Sequence, residues 1–135
     1  MNIELLKPKI KSLAHRYHLD LVVLFGSQTT GKTHSGSDVD VAVIGKVPFR
    51  VTQLSMDFSD IFKRDDVEVV DLGRSSPTLM YSVVRDGKLL YERSEGEFLR
   101  WKLYATKIWM ETAWLRAMRD KKLREWAKVA RDRIS

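Results

Sequence analysis

The chain contains no cysteine, which excludes disulfides, thiolate nucleophiles and cysteine-ligated zinc. It also lacks any run approaching the roughly 18 apolar residues that a membrane-spanning helix needs. Its first residues, Met1 to Lys7, hold no apolar stretch of signal-peptide length. A cytoplasmic location is expected. Internal repeats and low-complexity tracts are missing too. What is present is ordinary for a globular domain: 135 residues, 44% hydrophobic and 31% charged, enough for one core and little more.

Acidic residues are scarce at one end only. The formal net charge is +6, yet residues 1–97 hold 13 Lys/Arg against 14 Asp/Glu, and residues 98–135 hold 11 against 4. The whole excess therefore sits in the C-terminal segment, a basic appendage on a near-neutral body. The expected division is a domain over residues 1–118 and a basic helical tail over 119–135. Such a tail suits an acidic partner protein, a polyphosphate or nucleic acid. Direct nucleic-acid binding is the less favoured of these uses, and a solvated helix face is the plain alternative.

Periodicity supplies the elements. Ile3, Leu6, Ile10, Leu13 and Tyr17 fall at helical spacing, with Pro8 as an interruption or kink. Leu19 to Phe25 reads as a buried strand ending at Gly26, and Asp38 to Ile44 as a second strand. Val51, Leu54, Phe58, Ile61 and Phe62 mark another helix, and Asp66 to Leu72 a third strand. Ser76-Pro77 opens a short helix that Gly87 closes, before a brief edge strand, Lys88 to Glu92. Ser94 to Glu97 has capping-box form and opens a helix expected to run to about Arg119, with Phe98, Trp101, Ala105, Ile108, Thr112 and Leu115 inward. Leu123, Trp126, Ala127, Ala130 and Ile134 continue at helical spacing. The fold class is α/β (α+β): a small mixed sheet of three or four strands with flanking helices and a long C-terminal helical segment.

The chemistry is concentrated in residues 26–40, GSQTTGKTHSGSDVD. Gly26 to Thr33 matches GxxxxGK[ST], the phosphate-binding P-loop, in which Lys32 and Thr33 would meet phosphate and Mg²⁺. The context opposes that reading. A P-loop opens a long helix, whereas here His34-Ser35-Gly36-Ser37 follows and Asp38 already begins a strand. The chain is also too short for several parallel strands with their crossovers. The other reading is Gly26-Ser27, ten residues, then Asp38-Val39-Asp40, between two strands. Alternate strand residues share a face, so Asp38 and Asp40 project together. Two such carboxylates are suited to Mg²⁺, which keeps water and phosphate oxygens in the rest of its shell. Gly26 lets backbone approach a triphosphate closely, and Ser27 can donate to its oxygens.

These residues resemble the nucleotidyltransferase superfamily of DNA polymerase β, whose signature is a GS loop followed by a DxD strand. The resemblance implies the polymerase-β-like fold, with Asp38 and Asp40 as catalytic metal ligands and Gly26, Ser27, Lys32 and Ser37 around the nucleotide. It also implies a third carboxylate on a later strand. DVEVVDL, residues 66–72, is similar to that strand, and the alignment places Glu68 at the catalytic and metal-binding position. Alternation agrees, since Val67 and Val69 would face the core. Glu stands where Asp is common, so Asp66 and Asp71 remain alternatives.

Length, element order, Gly73 to Ser76, Asp86 to Tyr91 and the aromatic-rich final helix resemble the minimal nucleotidyltransferase (MNT) family over about residues 3–118. That resemblance implies Mg²⁺-dependent transfer of AMP from ATP to a tyrosine of a partner HEPN-domain ribonuclease toxin, an antitoxin role. Transfer to a small molecule in a shallow groove, or a non-enzymatic basic binding module, are the alternatives. His15 and His18 sit on a helix without a plausible ligand partner, and His34 lies in the glycine-rich stretch, where a phosphate contact is the alternative to a solvent-exposed position. Trp101, Trp109 and Trp114 are expected to pack within helices, and Trp126 stands among basic residues where a partner groove or base could meet it.

Overall fold

The computed structural model describes residues 2–26 and 39–134. Helix α1 (Ile3–Tyr17) buries Ile3, Ile10, Leu13 and Ala14. Pro8 sits on its exposed side, and the helix continues through it. Strands β1 (Leu19–Phe25) and β2 (Val39–Gly45) pair antiparallel. Helix α2 (Val51–Phe62) then crosses over to β3 (Val67–Asp71), which lies parallel to β2. A 3₁₀ turn, Leu72–Arg74, leads to helix α3 (Pro77–Asp86) and strand β4 (Lys88–Glu92). The sheet order is β3-β2-β1-β4, with β4 antiparallel to β1 at one edge.

Both faces of this sheet are covered, which is why β1 and much of β2 read as nearly continuous apolar runs. On one face Val22, Leu24, Val39, Val41, Val43, Val67 and Val69 pack with Leu54 and Phe58 of α2 and with α1. On the other Leu21, Val23, Phe25 and Ala42 pack with Met80 and Val83 of α3 and with Phe98, Trp101 and Ala105 of helix α4 (Glu97–Glu111).

Local chemistry departs from expectation at the C-terminal helices. The N-terminal cap of α4 is a carboxylate from the preceding strand: Glu92 accepts from Gly96 N at 3.3 Å and Phe98 N at 3.0 Å. Ser94 contributes through its hydroxyl to Glu97 Oε1, at 3.1 Å, and not as the expected capping box. The helix also ends ahead of Arg119. Thr112 turns its hydroxyl onto the Ile108 carbonyl at 2.7 Å, a back-bond that competes with the regular ladder. A second helix, α5 (Ala113–Ile134), restarts beyond it. Consequently Leu115, expected inward, is exposed, and so is Trp114, expected to pack within the helices.

Candidate active site

The register of three strands assembles the acidic site. Asp40 of β2 pairs with Phe25 of β1 on one side and with Glu68 of β3 on the other. Val39 and Val41 point into the core shared with α1 and α2, as do Val67 and Val69. Strict alternation therefore turns Asp40 and Glu68 to the opposite face of the sheet, side by side on adjacent parallel strands. Asp40 is half-buried and Glu68 exposed.

Gly26 closes the site from the end of β1. Its φ is +82°, in the left-handed region that glycine enters without penalty. A Cβ added there would stand 2.5 Å from Asp40 Oδ2. Glycine is thus required twice, for the turn and for the space the carboxylate occupies. Gly26→Ala is expected to cost about 1–2 kcal/mol through the backbone alone, read as a lower urea midpoint. It should also lower nucleotide transfer by pushing the Asp40 carboxylate aside, and an alanine variant with unchanged stability and transfer would contradict this geometry.

The other acidic residues of the third strand are engaged elsewhere. Asp66 forms a two-pronged ion pair with Arg64, with Nε 2.8 Å from Oδ1, and that guanidinium holds the Asp66 carboxyl below its usual range. Its backbone carbonyl accepts from Val39 N at 3.0 Å, fastening the start of β3 to β2. Asp71 pairs with Val43, at the far end of β3, and its Oδ1 caps the 3₁₀ turn by accepting from Gly73 N at 2.9 Å. Asp71 thus lies on the other face from Glu68 and about 10 Å along the strand, at some 3.3 Å per residue.

Ser27, Lys32, Ser37 and Asp38, together with His34, lie outside the described residues. Among the described residues no group of three or more His, Cys, Asp or Glu could hold a metal ion. The two placed carboxylates are hard oxygen donors on one face, a set whose chemistry fits Mg²⁺ and not a softer ion. A groove lined by Pro8, Lys9, Ser12, Arg16, Asp57 and Asp60 runs between α1 and α2, on the face of the sheet away from Asp40. There Tyr17 donates to Asp57, and burial followed by that bond raises the phenol above its ordinary range.

A mixed four-stranded sheet with acids paired across its strands and a glycine turn against them defines a nucleotidyltransferase of the polymerase-β type. A model of the family "Polymerase beta, Nucleotidyltransferase" matches residues 8–96, and the chain belongs to that family. It is 33% identical over 107 residues to the protein adenylyltransferase MntA of Aphanizomenon flos-aquae, covering 70% of this chain and 71% of that protein. Its fold is similar to a crystal structure of a toxin-antitoxin with AMP-PNP, at TM-score 0.73 and 26% identity, over 87% of this chain and 98% of the other. The fold is also similar to that in a structure of a tri-AMPylated Shewanella oneidensis HEPN toxin in complex with MNT antitoxin, at TM-score 0.69 and 24% identity over 90% and 99% of the two chains. No helix among the described residues is long and apolar enough to cross a membrane.

Proposed function

We propose that the chain is a protein adenylyltransferase that moves AMP from ATP onto a tyrosine hydroxyl of a partner HEPN-type ribonuclease toxin, acting as its antitoxin in the cytosol. The observation that carries this reading is the Asp40–Glu68 pair, in register on adjacent strands beside Gly26. The adenylyltransferase activity of the Aphanizomenon relative and the AMP-PNP-bound toxin-antitoxin of similar fold support the choice of nucleotide and acceptor. In the transfer, the acceptor oxygen bonds to the α-phosphorus of ATP as the bond to the α–β bridging oxygen breaks, and pyrophosphate leaves. Asp38, Asp40 and Glu68 would hold Mg²⁺, which when bound supplies the positive charge that offsets the triphosphate and the charge developing on it. Glu68, the exposed member of the pair, takes the acceptor's hydroxyl proton. Gly26, Ser27 and Ser37 contact the phosphates, with Lys32 adding its charge.

The leaving group tests the reading. Incubating the chain with α-labelled ATP, Mg²⁺ and the HEPN-domain protein of the same genome should place label on that protein and release pyrophosphate. Lys32→Ala should lose only the contribution of a surface charge, on the order of 1 kcal/mol, a severalfold drop in transfer. Free phosphate as the direct product, abolished with Lys32, would instead make residues 26–33 a working P-loop and end the transferase reading.

A further inference from the structure

Helix α5 is the longest helix, and beyond its root every described residue is exposed. Its 22 residues include none that is buried. Yet Leu115, Met118, Leu123, Trp126 and Val129 recur along one side at helical spacing, with Arg119, Lys122 and Arg133 interleaved and Ile134 at the edge, and Trp126 is 78% and Ile134 87% exposed. A helix gains nothing from such a stripe unless something covers it.

The root of the helix is fixed. Arg116 lays its guanidinium 3.3 Å from the centre of the Trp109 ring of α4, and Tyr81 of α3 stacks on the same ring at 4.5 Å and 10°. Both approaches are too close to share one face, so the indole lies between them. Arg116 also donates to the Trp109 carbonyl and to Thr112 Oγ1, each at 2.7 Å. Three helices are therefore joined at one three-layer stack, and α5 leaves the body from a held position.

Charge selects the occupant. The helix carries eight Lys/Arg against three Asp/Glu, a net +5. A second copy would set +5 against +5 along the whole contact, which disfavours self-pairing. Nucleic acid would satisfy the charge, and a base could stack on Trp126, but Leu, Met, Val and Ile offer bases no stacking surface, so most of the stripe would stay uncovered. An acidic protein surface with an apolar groove satisfies both.

We propose that α5 is a docking arm for the acceptor protein: its apolar stripe seats in an acidic, apolar-floored groove of that protein, and the Tyr81–Trp109–Arg116 stack sets its direction. This rests on the acceptor being a HEPN-type protein, as proposed above. It moves the functional boundary to the break at Thr112, ahead of the 118/119 division suggested by composition.

The test uses the full chain and the HEPN-domain protein of the same genome, with affinity measured by calorimetry at low and raised salt. Wild type should bind, more weakly as salt rises. Trp126→Asp should weaken binding by at least about 30-fold, the loss of an interface anchor, and Arg116→Ala by about tenfold. Circular dichroism and ATP binding, measured in parallel, should show both variants folded with an intact nucleotide site. Wild-type affinity in Trp126→Asp would overturn the proposal. So would a dimer of the free chain that Trp126→Asp converts to monomer, or loss of binding to a mixed-sequence single-stranded RNA with toxin binding unchanged. A wild-type chain that binds ATP but not the HEPN protein would refute the acceptor assignment itself, and the arm's occupant with it.

Discussion

Asp40→Asn should abolish nucleotide transfer while leaving the protein folded and at least as stable as wild type. Asp40 stands between Phe25 and Glu68 in the sheet register, half-buried, with Gly26 packed against its carboxylate. Asn keeps the shape, so the packing survives. It removes one of the anionic oxygens suited to the cation, and with it charge that the transition state needs. A loss of at least about 10³-fold is expected, since each factor of ten corresponds to about 1.36 kcal/mol of barrier. Stability should move the other way. Two carboxylates set side by side repel when no cation sits between them, so neutralising one relieves the apo protein. The pair of readouts is transfer of labelled AMP and the urea midpoint without Mg²⁺. A folded variant that transfers at the wild-type rate would remove Asp40 from the site.

The strands were legible because each is short, apolar and bounded by turn residues. Leu19 to Phe25 stops at Gly26, and Val39 to Val43 alternates between two covered faces. The face of Glu68 was legible for the same reason: Val67 and Val69 must be inside, and a period of two leaves no choice for the residue between. Helix ends were legible where local chemistry makes them. Ser76 caps α3 as its position before Pro77 implies, accepting from Leu79 N at 3.2 Å.

What escaped sequence reasoning depends on partners distant along the chain, or on a weak local competition. Glu92 caps α4 from the preceding strand, and no short pattern marks a carboxylate for donors four and six residues ahead. The break at Thr112 arises from one hydroxyl on one carbonyl, inside a sequence whose spacing suits an unbroken helix. Helices α1 and α2 end on His18 and Lys63 in the left-handed conformation, where glycine would have announced the stop. Arg116 stands four residues after Thr112 and seven after Trp109, a spacing that would put all three on one side of an unbroken helix. The break hid the relation. For the site, which of Asp66, Glu68 and Asp71 stands beside Asp40 needed the register of β3 against β2, a long-range fact.

That register makes the second large forecast. Glu68→Gln should reduce transfer by at least roughly 10²-fold, the range expected for loss of a general base or ligand. Asp71→Asn should leave the rate near wild type and act on stability instead. Asp71 accepts from Gly73 N and caps the 3₁₀ turn; asparagine keeps a carbonyl oxygen for that bond, so the change should cost less than the roughly 1 kcal/mol of a fully lost cap. Asp66→Asn should likewise affect stability first, since the carboxylate is paired with Arg64. Its depressed pKa gives the sign: the ion pair contributes fully above the ordinary Asp range and is lost as pH falls through the folded value. The wild-type advantage over Asp66→Asn should therefore vanish in acid, while the rate defect of Glu68→Gln persists at neutral pH. The measurements are single-turnover AMP transfer and urea midpoints across the acid range for the three variants. A crippled Asp71→Asn beside a nearly active Glu68→Gln would mean that the acid working beside Asp40 comes from the other face of β3, against the alternation that Val67 and Val69 impose.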